Sequence, residues 1–320
     1  MSPYSLLFLS GAEISLPLLR ALAKDPRFQI CGVICQPDKP VGRTMEIKCP
    51  APKTLAEKLG VEVFQTEKLS ADGALFSHFK TSRPDIILTF AFGQILNEDW
   101  LKLPKFALNV HASLLPKYRG ASPISAAILN GDTVTGLAVM KMEAAMDKGP
   151  VAFIHEIEIP PHMTTGLLHD EVAEVAAKVV PDEIVKLMEA LNEARDLFKE
   201  QDESQATYTK KMTREDGMVN FKEPAELILR KFRAYSPWPG LYTFFKGKRL
   251  KFVDIEKTET NSTEMFLAPG EIKVDGKKVY IGTSDGSILL KMLQLEGKDS
   301  VYSEQFLLGY PDFSGATLPS

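Results

Sequence analysis

The sequence predicts an α/β protein: a Rossmann-like domain with a mostly parallel sheet, followed by a small C-terminal β-barrel domain of the OB type. Strand and helix patterns alternate through the first half of the chain, and several strands are apolar throughout. Beyond a polar segment at residues 199–211, short strand patterns are separated by the turn pairs Asp275-Gly276 and Asp285-Gly286. The predicted domains are therefore residues 1–204 and 205–320.

The first half contains strand patterns joined by helix patterns. The strand patterns are, in order, YSLLFLSG, QICGVICQPD, VEVFQ, PDIILTFAFG, FALNVHAS, GLAVMKM and VAFIHEIEI. The helix patterns are SLPLLRALAKD, APKTLAEKLG, GALFSHFKTS and ASPISAAILNG. Apolar strands that alternate with helices are typical of a parallel sheet covered on both faces. The turn LFLSGAEISL lacks the G-x-G-x-x-G spacing, so the sequence does not favour a dinucleotide site in the usual Rossmann position.

A long helical pattern begins near Thr165, and Pro181 within it predicts either a kink or the start of a new helix. The polar segment that follows, residues 199–211, is interpreted as a linker because it has almost no apolar content. After it come the helix pattern EPAELILRKFRAY and the short strands GLYTFF, KGKRLKFVDIE, GEIKV, KKVYIGT and SILLKML. Small barrels built from such strands commonly bind nucleic acid.

Composition places the chain in the soluble globular class, with 44% hydrophobic and 25% charged residues and a net charge of −4. No apolar run reaches the length of about 18 residues that a membrane span needs, and the first residues do not have the pattern of a signal peptide. Three cysteines are too few for a disulfide framework. We therefore expect a cytoplasmic protein.

The charge is unevenly distributed along the chain. Residues 207–251 contain eleven Lys or Arg against four Asp or Glu, a net charge of +7 inside a chain of −4. A local basic field on an acidic protein is compatible with a polyanionic partner and also with an unevenly charged surface that has no such role. The count by itself does not decide between them.

The strand FALNVHAS ends in alternating polar residues. Because successive side chains of a strand alternate, Asn109, His111 and Ser113 share one face. In an open parallel sheet the carboxyl ends of the strands border the crevice where ligands bind. An amide and a titratable imidazole would thus lie about 7 Å apart at the rim of a cleft. Polar residues are also common at strand ends, so this pattern alone is a weak signal.

A carboxylate in a later loop strengthens the signal. Asp147 lies in MKMEAAMDKGPV, which follows an apolar strand and is closed by Gly149 and Pro150. A carboxylate close to an imidazole favours its protonated form and fixes its tautomer. An amide and a charged imidazole stabilise an oxyanion, and the imidazole with the carboxylate moves protons. No Ser or Cys stands in a nucleophile-elbow pattern, so direct acyl transfer is favoured over a covalent enzyme intermediate.

These residues resemble the folate-dependent formyltransferases. The resemblance rests on Asn109-x-His111, SLLP at residues 113–116, YRG at 118–120 and MDKG around Asp147. Further motifs extend it over essentially the whole chain and narrow it to the branch that acts on methionyl-tRNA: QPDKPVGR, FAFGQIL, QDESQATYTKKMTRED and RAYSPWPGLYT. SLLPKYRG alone would leave several formyltransferases open.

The resemblance implies transfer of the formyl group of 10-formyltetrahydrofolate, a co-substrate, to the α-amine of methionyl initiator tRNA, without a metal. It implies a catalytic trio of Asn109, His111 and Asp147. The folate pocket would be lined by two segments, with the residues Ser113, Leu114, Leu115, Pro116, Phe90, Phe92, Gly93 and Ile95. The tRNA would contact basic residues of the loop after the second strand and of the C-terminal domain, namely Arg43, Lys48, Lys210, Lys211 and Arg214. Met45 and Glu46 interrupt a loop that is strongly basic elsewhere in the family.

Two alternatives remain at this stage. One is a formyltransferase acting on a sugar-nucleotide amine, or a hydrolase of formyl-tetrahydrofolate. The basic stretch and the barrel-like C-terminal region argue against both. The other is a tRNA-binding protein whose formyltransferase domain is inactive, and the complete Asn109, His111 and Asp147 set argues against it. We expect a monomer with no membrane partner.

Overall fold

The computed structural model describes residues 2–41, 45–70, 73–258 and 267–319. The chain divides into two compact units. The first comprises Met1–Pro123, Val134–Glu158 and Leu168–Lys210, and the second comprises Ile124–Thr133, Ile159–Leu167 and Lys211–Ser320.

Up to Lys210, strands and helices alternate largely as the sequence predicts. The strands are β1 Tyr4–Leu9, β2 Phe28–Cys35, β3 Lys39–Val41, β4 Glu46–Lys48, β5 Val63–Gln65, β6 Ile86–Phe90, β7 Phe106–His111, β8 Arg119–Gly120, β9 Val134–Lys141, β10 Val151–Glu158 and β11 Tyr208–Thr209. The helices are α1 Leu16–Lys24, α2 Ala51–Lys58, α3 Ala74–Ser82, α4 Glu98–Lys102, α5 Pro123–Asn130 and α6 Thr165–Asn192.

The main sheet of the first unit has seven strands in the order β10-β9-β7-β6-β1-β2-β5. Pairing is parallel from β7 to β5, and β9 and β10 add two antiparallel strands at the other edge. The central strands are apolar on both faces: all five residues of β6 are buried. That pattern is typical of a sheet covered on both sides, and the mostly parallel, Rossmann-like architecture is confirmed.

Helix α6 continues through Pro181, where the sequence predicts a kink or a new start. The buried positions Val180, Ile184 and Leu187 keep helical spacing across the proline. Packing of this apolar face accounts for the continuity, because tertiary contacts offset the lost hydrogen bond and the steric clash that a proline introduces inside a helix.

Residues 199–211 differ from the predicted linker. The backbone of Lys199 pairs with Val151, and β11 pairs in parallel with β8, with Tyr208 opposite Arg119. The polar composition hid this arrangement, because its contacts are hydrogen bonds and ion pairs and leave no apolar pattern in the sequence.

The second unit is built on an antiparallel sheet. Its elements are α7 Ala225–Ala234, β12 Tyr242–Phe245, β13 Lys248–Lys257, β14 Ile272–Asp275, β15 Lys278–Gly282, β16 Ser287–Leu295, β17 Val301–Tyr302 and α8 Ser303–Gly309. The strand order is β12-β13-β16-β15-β14, and β17 pairs with β16. The predicted turn pairs join β14 to β15 and β15 to β16, with Gly276 at a φ of +57°. The sheet curls into a half-barrel, in agreement with the predicted barrel-like domain.

Within the described ranges, no helix has both the length and the apolarity needed to cross a membrane.

Candidate active site

Strand β7 places Asn109 and His111 on one face, as the sequence predicts. β7 lies between β6, to which it is parallel, and β9, to which it is antiparallel. The register sets Asn109 opposite Thr89 on β6 and His111 opposite Ala138 on β9. Both polar side chains thus stand at the carboxyl end of a central strand, the edge where parallel α/β sheets bind ligands.

The His111 ring is almost completely buried, with 6% of the residue exposed. Its Nε2 lies 3.0 Å from the backbone oxygen of Tyr118, and its Nδ1 lies 3.8 Å from Oδ2 of Asp147. A carbonyl oxygen only accepts hydrogen bonds, so Nε2 carries a proton in this arrangement. Nδ1 is the ring nitrogen that faces the carboxylate.

Asp147 lies in the loop between β9 and β10, and its backbone adopts a left-handed conformation with a φ of +54°. Its side chain is 14% exposed. Oδ2 accepts a hydrogen bond of 2.8 Å from the backbone N–H of Gly120. The same oxygen therefore faces both a backbone donor and the His111 ring, which makes the carboxylate a fixed part of the cluster.

The Asn109 amide is oriented by its neighbour on β6. Oγ1 of Thr89 donates a hydrogen bond of 2.7 Å to Oδ1 of Asn109. With its oxygen engaged, the amide keeps the two protons of Nδ2 as donors. The side chains of this cluster therefore comprise an oriented donor, an imidazole and a carboxylate, and all three belong to the first unit.

The SLLP segment directly follows this strand. Ser113 is fully buried and donates a hydrogen bond of 2.6 Å to the backbone oxygen of Lys117, which closes the turn. Leu115 packs in a small apolar cluster of the first unit, whereas Leu114 and Pro116 are half-buried. Leu114 lies over Gly136, where an added Cβ would come within 2.5 Å of its side chain.

The FAFGQIL segment presents fewer accessible side chains than its sequence predicts. Phe90 ends β6 and is 2% exposed, and Phe92 is 5% exposed within the main core. Gly93, at a φ of +74°, and Ile95, which is 67% exposed, form the accessible part of the loop. Gln94 holds this loop, because its amide accepts from the Leu69 N–H and donates to the Thr66 oxygen.

The predicted tRNA-binding residues fall into two groups. Arg43 lies outside the described residues, and Lys48 is exposed on β4. Lys53, the next lysine along the chain, donates to Asp38 at 2.8 Å and to Gln65 at 3.0 Å, so it serves the base of this hairpin. The second group, at the start of the C-terminal segment, is exposed and consists of Lys210, Lys211 and Arg214.

Three polar residues of the cluster are not among the predicted site residues. They are Thr89, which donates to Asn109, Gln201, which donates to the backbone of the Asp147 loop, and Arg119, which donates to Gln201. Arg119 and Gln201 lie inside the motifs YRG and QDESQATYTKKMTRED. The resemblance to the formyltransferases therefore includes both positions, although the motifs do not indicate what these residues do. Among the described residues, no group of three or more His, Cys, Asp or Glu is arranged to hold a metal ion.

Comparison with known proteins identifies the family. Residues 6–184 match the family model described as formyl transferase, and residues 211–311 match its C-terminal domain. The chain belongs to the formyl transferase family. A relative named methionyl-tRNA formyltransferase from Dehalococcoides mccartyi is 36% identical over 99% of each chain. Another of the same name, from Halothermothrix orenii, is 33% identical over 96% of this chain and 97% of that one.

Solved structures share the fold of this formyl transferase at low sequence identity. The sugar 3N-formyl transferase WlaRD, solved with dTDP and 5-N-formyl-THF, has a TM-score of 0.62 and 15% identity over 93% of this chain and all of its own length. HypX from Aquifex aeolicus, solved with tetrahydrofolic acid, has a TM-score of 0.57 and 20% identity over 94% of this chain and 46% of its own. The fold is therefore shared with a sugar formyl transferase and with HypX at low sequence identity.

Proposed function

We propose that this formyl transferase moves the formyl group of 10-formyltetrahydrofolate to the α-amino group of methionyl initiator tRNA, for translation initiation. The observation that supports the reaction is the cluster of Asn109, His111 and Asp147 at the carboxyl end of β7. The observation that favours the acceptor is the identity of 33–36%, over both domains, with relatives named methionyl-tRNA formyltransferase.

The chemistry is a direct acyl transfer. The neutral α-amine attacks the formyl carbon, a new C–N bond forms, and negative charge develops on the formyl oxygen. Asn109 Nδ2 donates a hydrogen bond to that oxygen, and protonated His111 on the same face adds positive charge. Fixed donors directed at a developing charge are usually the largest catalytic contribution in such sites.

Proton transfer completes the reaction. The attacking nitrogen loses one proton, the bond between the formyl carbon and N10 breaks, and N10 gains one proton. Asp147 accepts the proton from the amine and keeps His111 charged, since the carboxylate lies 3.8 Å from Nδ1 of the ring. Such acid–base help contributes about 10²- to 10⁴-fold to a rate. No covalent enzyme intermediate is needed.

The folate co-substrate lies, in this proposal, between the SLLP segment and the FAFGQIL segment. The backbone of residues 113–116 and the exposed Gly93 and Ile95 line the pocket. Phe90, Phe92 and Leu115 support the two segments from the protein interior, because they are almost fully buried. The closed turn at Ser113 and the Gln94 hydrogen bonds keep both segments in place for a bound ligand.

For the tRNA we propose two contact regions, in keeping with domains 1–204 and 205–320. Lys48 belongs to the hairpin after β2, Arg43 stands near it in the sequence, and the exposed C-terminal group belongs to the basic stretch of +7. Within that stretch, Arg230 pairs with Glu226, Lys231 with Glu223 and Lys246 with Asp312. The group named above, Lys210, Lys211 and Arg214, is the better placed for phosphates because all three side chains are exposed. The protein acts in the cytoplasm as a monomer.

A competition assay tests the acceptor. The purified protein is given 10-formyltetrahydrofolate with equal concentrations of methionyl initiator tRNA and a sugar-nucleotide amine, and water is the background acceptor. We expect formyl-methionyl-tRNA as the main product. Formylation of the sugar amine, or release of formate alone, would refute the proposed acceptor and leave the formyl transfer chemistry standing.

A further inference from the structure

A buried arginine lies directly before Gly120, whose N–H holds the Asp147 carboxylate. Arg119 is 0% exposed, and its guanidinium donates to Glu203 at 2.7 and 3.1 Å and to the Tyr208 hydroxyl at 3.0 Å. The hydrogen bonds to Glu203 raise the pKa of Arg119 above its usual range. A buried charge is costly unless it is paired, so this guanidinium stays fixed by its partners.

The remaining donors of Arg119 fix the amide of Gln201. Nε and Nη2 donate to Oε1 of Gln201 at 3.1 and 2.8 Å. Two donors on the same oxygen define which end of the amide faces the arginine. The amide nitrogen therefore points the other way, where it donates to the backbone oxygens of Asp147 at 2.9 Å and of Gly149 at 2.7 Å.

The loop that Gln201 holds has a sterically restricted backbone. Asp147 has a left-handed backbone, which is uncommon outside glycine although Asp is one of the residues that tolerate it. Two residues on, a Cβ at Gly149 would lie 1.9 Å from the backbone oxygen of Lys141. The loop is thus tightly folded against β9, and the two Gln201 hydrogen bonds bridge its turn.

We infer that Gln201 is a positioning residue that sets the Asp147 carboxylate for the reaction, in addition to its part in the fold. Asp147 is held from two sides: Gly120 N–H binds its carboxylate, and Arg119 acts through Gln201 on its backbone. Gln201, which lies in a segment with the composition of a linker, thereby supports the catalytic carboxylate. The kinetic part of this inference rests on the proposed function, whereas the placement of Asp147 does not.

Two glutamate variants with the same charge change test the inference. Gln201→Glu keeps the length of the side chain and an acceptor for Arg119 but replaces both amide donors by a carboxylate facing two carbonyl oxygens. Gln205→Glu is the matched control, because the Gln205 amide donates to the exposed carboxylate of Asp202. Each variant is measured for kcat, for KM with both substrates, for Tm, and for amide hydrogen exchange at Gly120 by NMR.

For Gln201→Glu we expect kcat to fall about 10- to 100-fold, since a misplacement of about 1 Å costs up to about 100-fold. KM stays within about threefold, and exchange at Gly120 rises at least about tenfold because its acceptor has moved. The Arg119 N–H, which donates to the Thr207 oxygen, is the internal reference and stays protected. Gln205→Glu changes none of these.

Three results overturn the inference. The first is that Gln201→Glu has the same rate of amide exchange at Gly120, or the same kcat, as the Gln205→Glu control. The second is a rise in KM with kcat unchanged. The third is a joint loss of Arg119 protection and of Tm by more than about 4 °C, which would mean that the segment simply unfolds. If the wild-type protein does not formylate methionyl-tRNA, the proposed function fails, and Gly120 exchange alone decides whether Gln201 positions Asp147.

Discussion

Replacing Thr89 by valine tests whether the orientation of the Asn109 amide matters for the reaction. Thr89 is 2% exposed, stands opposite Asn109 in the sheet, and donates to its Oδ1 at 2.7 Å. Oδ1 of Asn109 is the nearest acceptor of this hydroxyl, ahead of the Leu108 oxygen at 3.3 Å and Met142 Sδ at 3.4 Å, so the bond favours the amide orientation with Oδ1 towards β6. Valine keeps the shape of the side chain and removes the donor.

The size of the effect follows from the strength of that bond. A neutral intramolecular hydrogen bond contributes about 1 kcal/mol net, which is about fivefold in an equilibrium constant. Without it the flipped amide becomes about as populated as the productive one, so the productive fraction falls from about five sixths to about one half. We therefore expect kcat of Thr89→Val to fall about twofold. Deleting the amide in Asn109→Ala removes the donor altogether and costs about 10²- to 10³-fold.

Single-turnover formylation with both substrates saturating measures this step. Thr89→Ser is the control, because it keeps the hydroxyl while losing a methyl group, and we expect its rate to be close to that of the wild type. Equal rates for the valine and serine variants would refute the proposed orientation of Asn109. A loss of about 100-fold in Thr89→Val would show instead that the strand itself is disturbed.

Three further predictions concern catalysis, tRNA binding and stability. His111→Ala should lower kcat by about 100-fold or more while the Kd for methionyl-tRNA stays near that of the wild type. Neutralising the exposed basic group, Lys210, Lys211 and Arg214, should weaken tRNA binding. The slope of the logarithm of the binding constant against the logarithm of salt concentration should become shallower by about one for each phosphate that is no longer neutralised. Partial burial tends to raise the pKa of Asp85, but hydrogen bonds from Lys105 and Ser5 outweigh it and lower that pKa. The ionised Asp85 carboxylate therefore adds to the free energy of unfolding above about pH 4. This contribution disappears as the pH falls through the folded pKa of Asp85. The difference in free energy of unfolding between wild type and Asp85→Asn should therefore shrink from pH 5 to pH 3.

Each of these has its own contradicting result. Retained turnover in His111→Ala would remove the residue from the mechanism. For the basic group, the control variant neutralises three exposed lysines of the first unit, Lys24, Lys58 and Lys80. If the two triple variants changed the salt dependence of tRNA binding equally, the effect would come from net charge and not from contacts made by the basic group. For Asp85, a wild-type advantage that does not change with pH would mean that its hydrogen bonds to Ser5 stabilise the fold irrespective of ionisation.

Much of the site could be predicted because it depends on local rules. The period of two in a strand places Asn109 and His111 on one face, and the apolar strands before them predict a parallel sheet whose carboxyl ends form the crevice. The structure has this arrangement, with His111 and Asp147 brought together at 3.8 Å. The hairpin positions in the second unit could likewise be predicted from the Asp-Gly pairs, and in the first of them Gly276 supplies the positive φ that the turn needs.

What the sequence could not supply is the partner of each polar side chain. Lys53 looks like one more basic residue of a tRNA-binding loop, and only the fold shows that it is paired with Asp38. Phe92 lies in a segment that resembles a folate loop, yet its ring packs in the core. Hydrophobic periodicity reports which face is buried, and it contains no information on which ion or amide lies opposite a given charge.

The same limit explains why the linker prediction for segment 199–211 is wrong. Its residues are polar because they pair with one buried guanidinium and with backbone groups, and such pairs need no periodic pattern. Arg119 and Gln201 are 82 positions apart, and α6 and the strands between them return the chain to β8. A polar run that follows a long helix can therefore be a structural part of an active site. The distinguishing sign is a buried charge elsewhere that would otherwise have no partner, because burial of Arg119 without Glu203 and Gln201 would be too costly to persist.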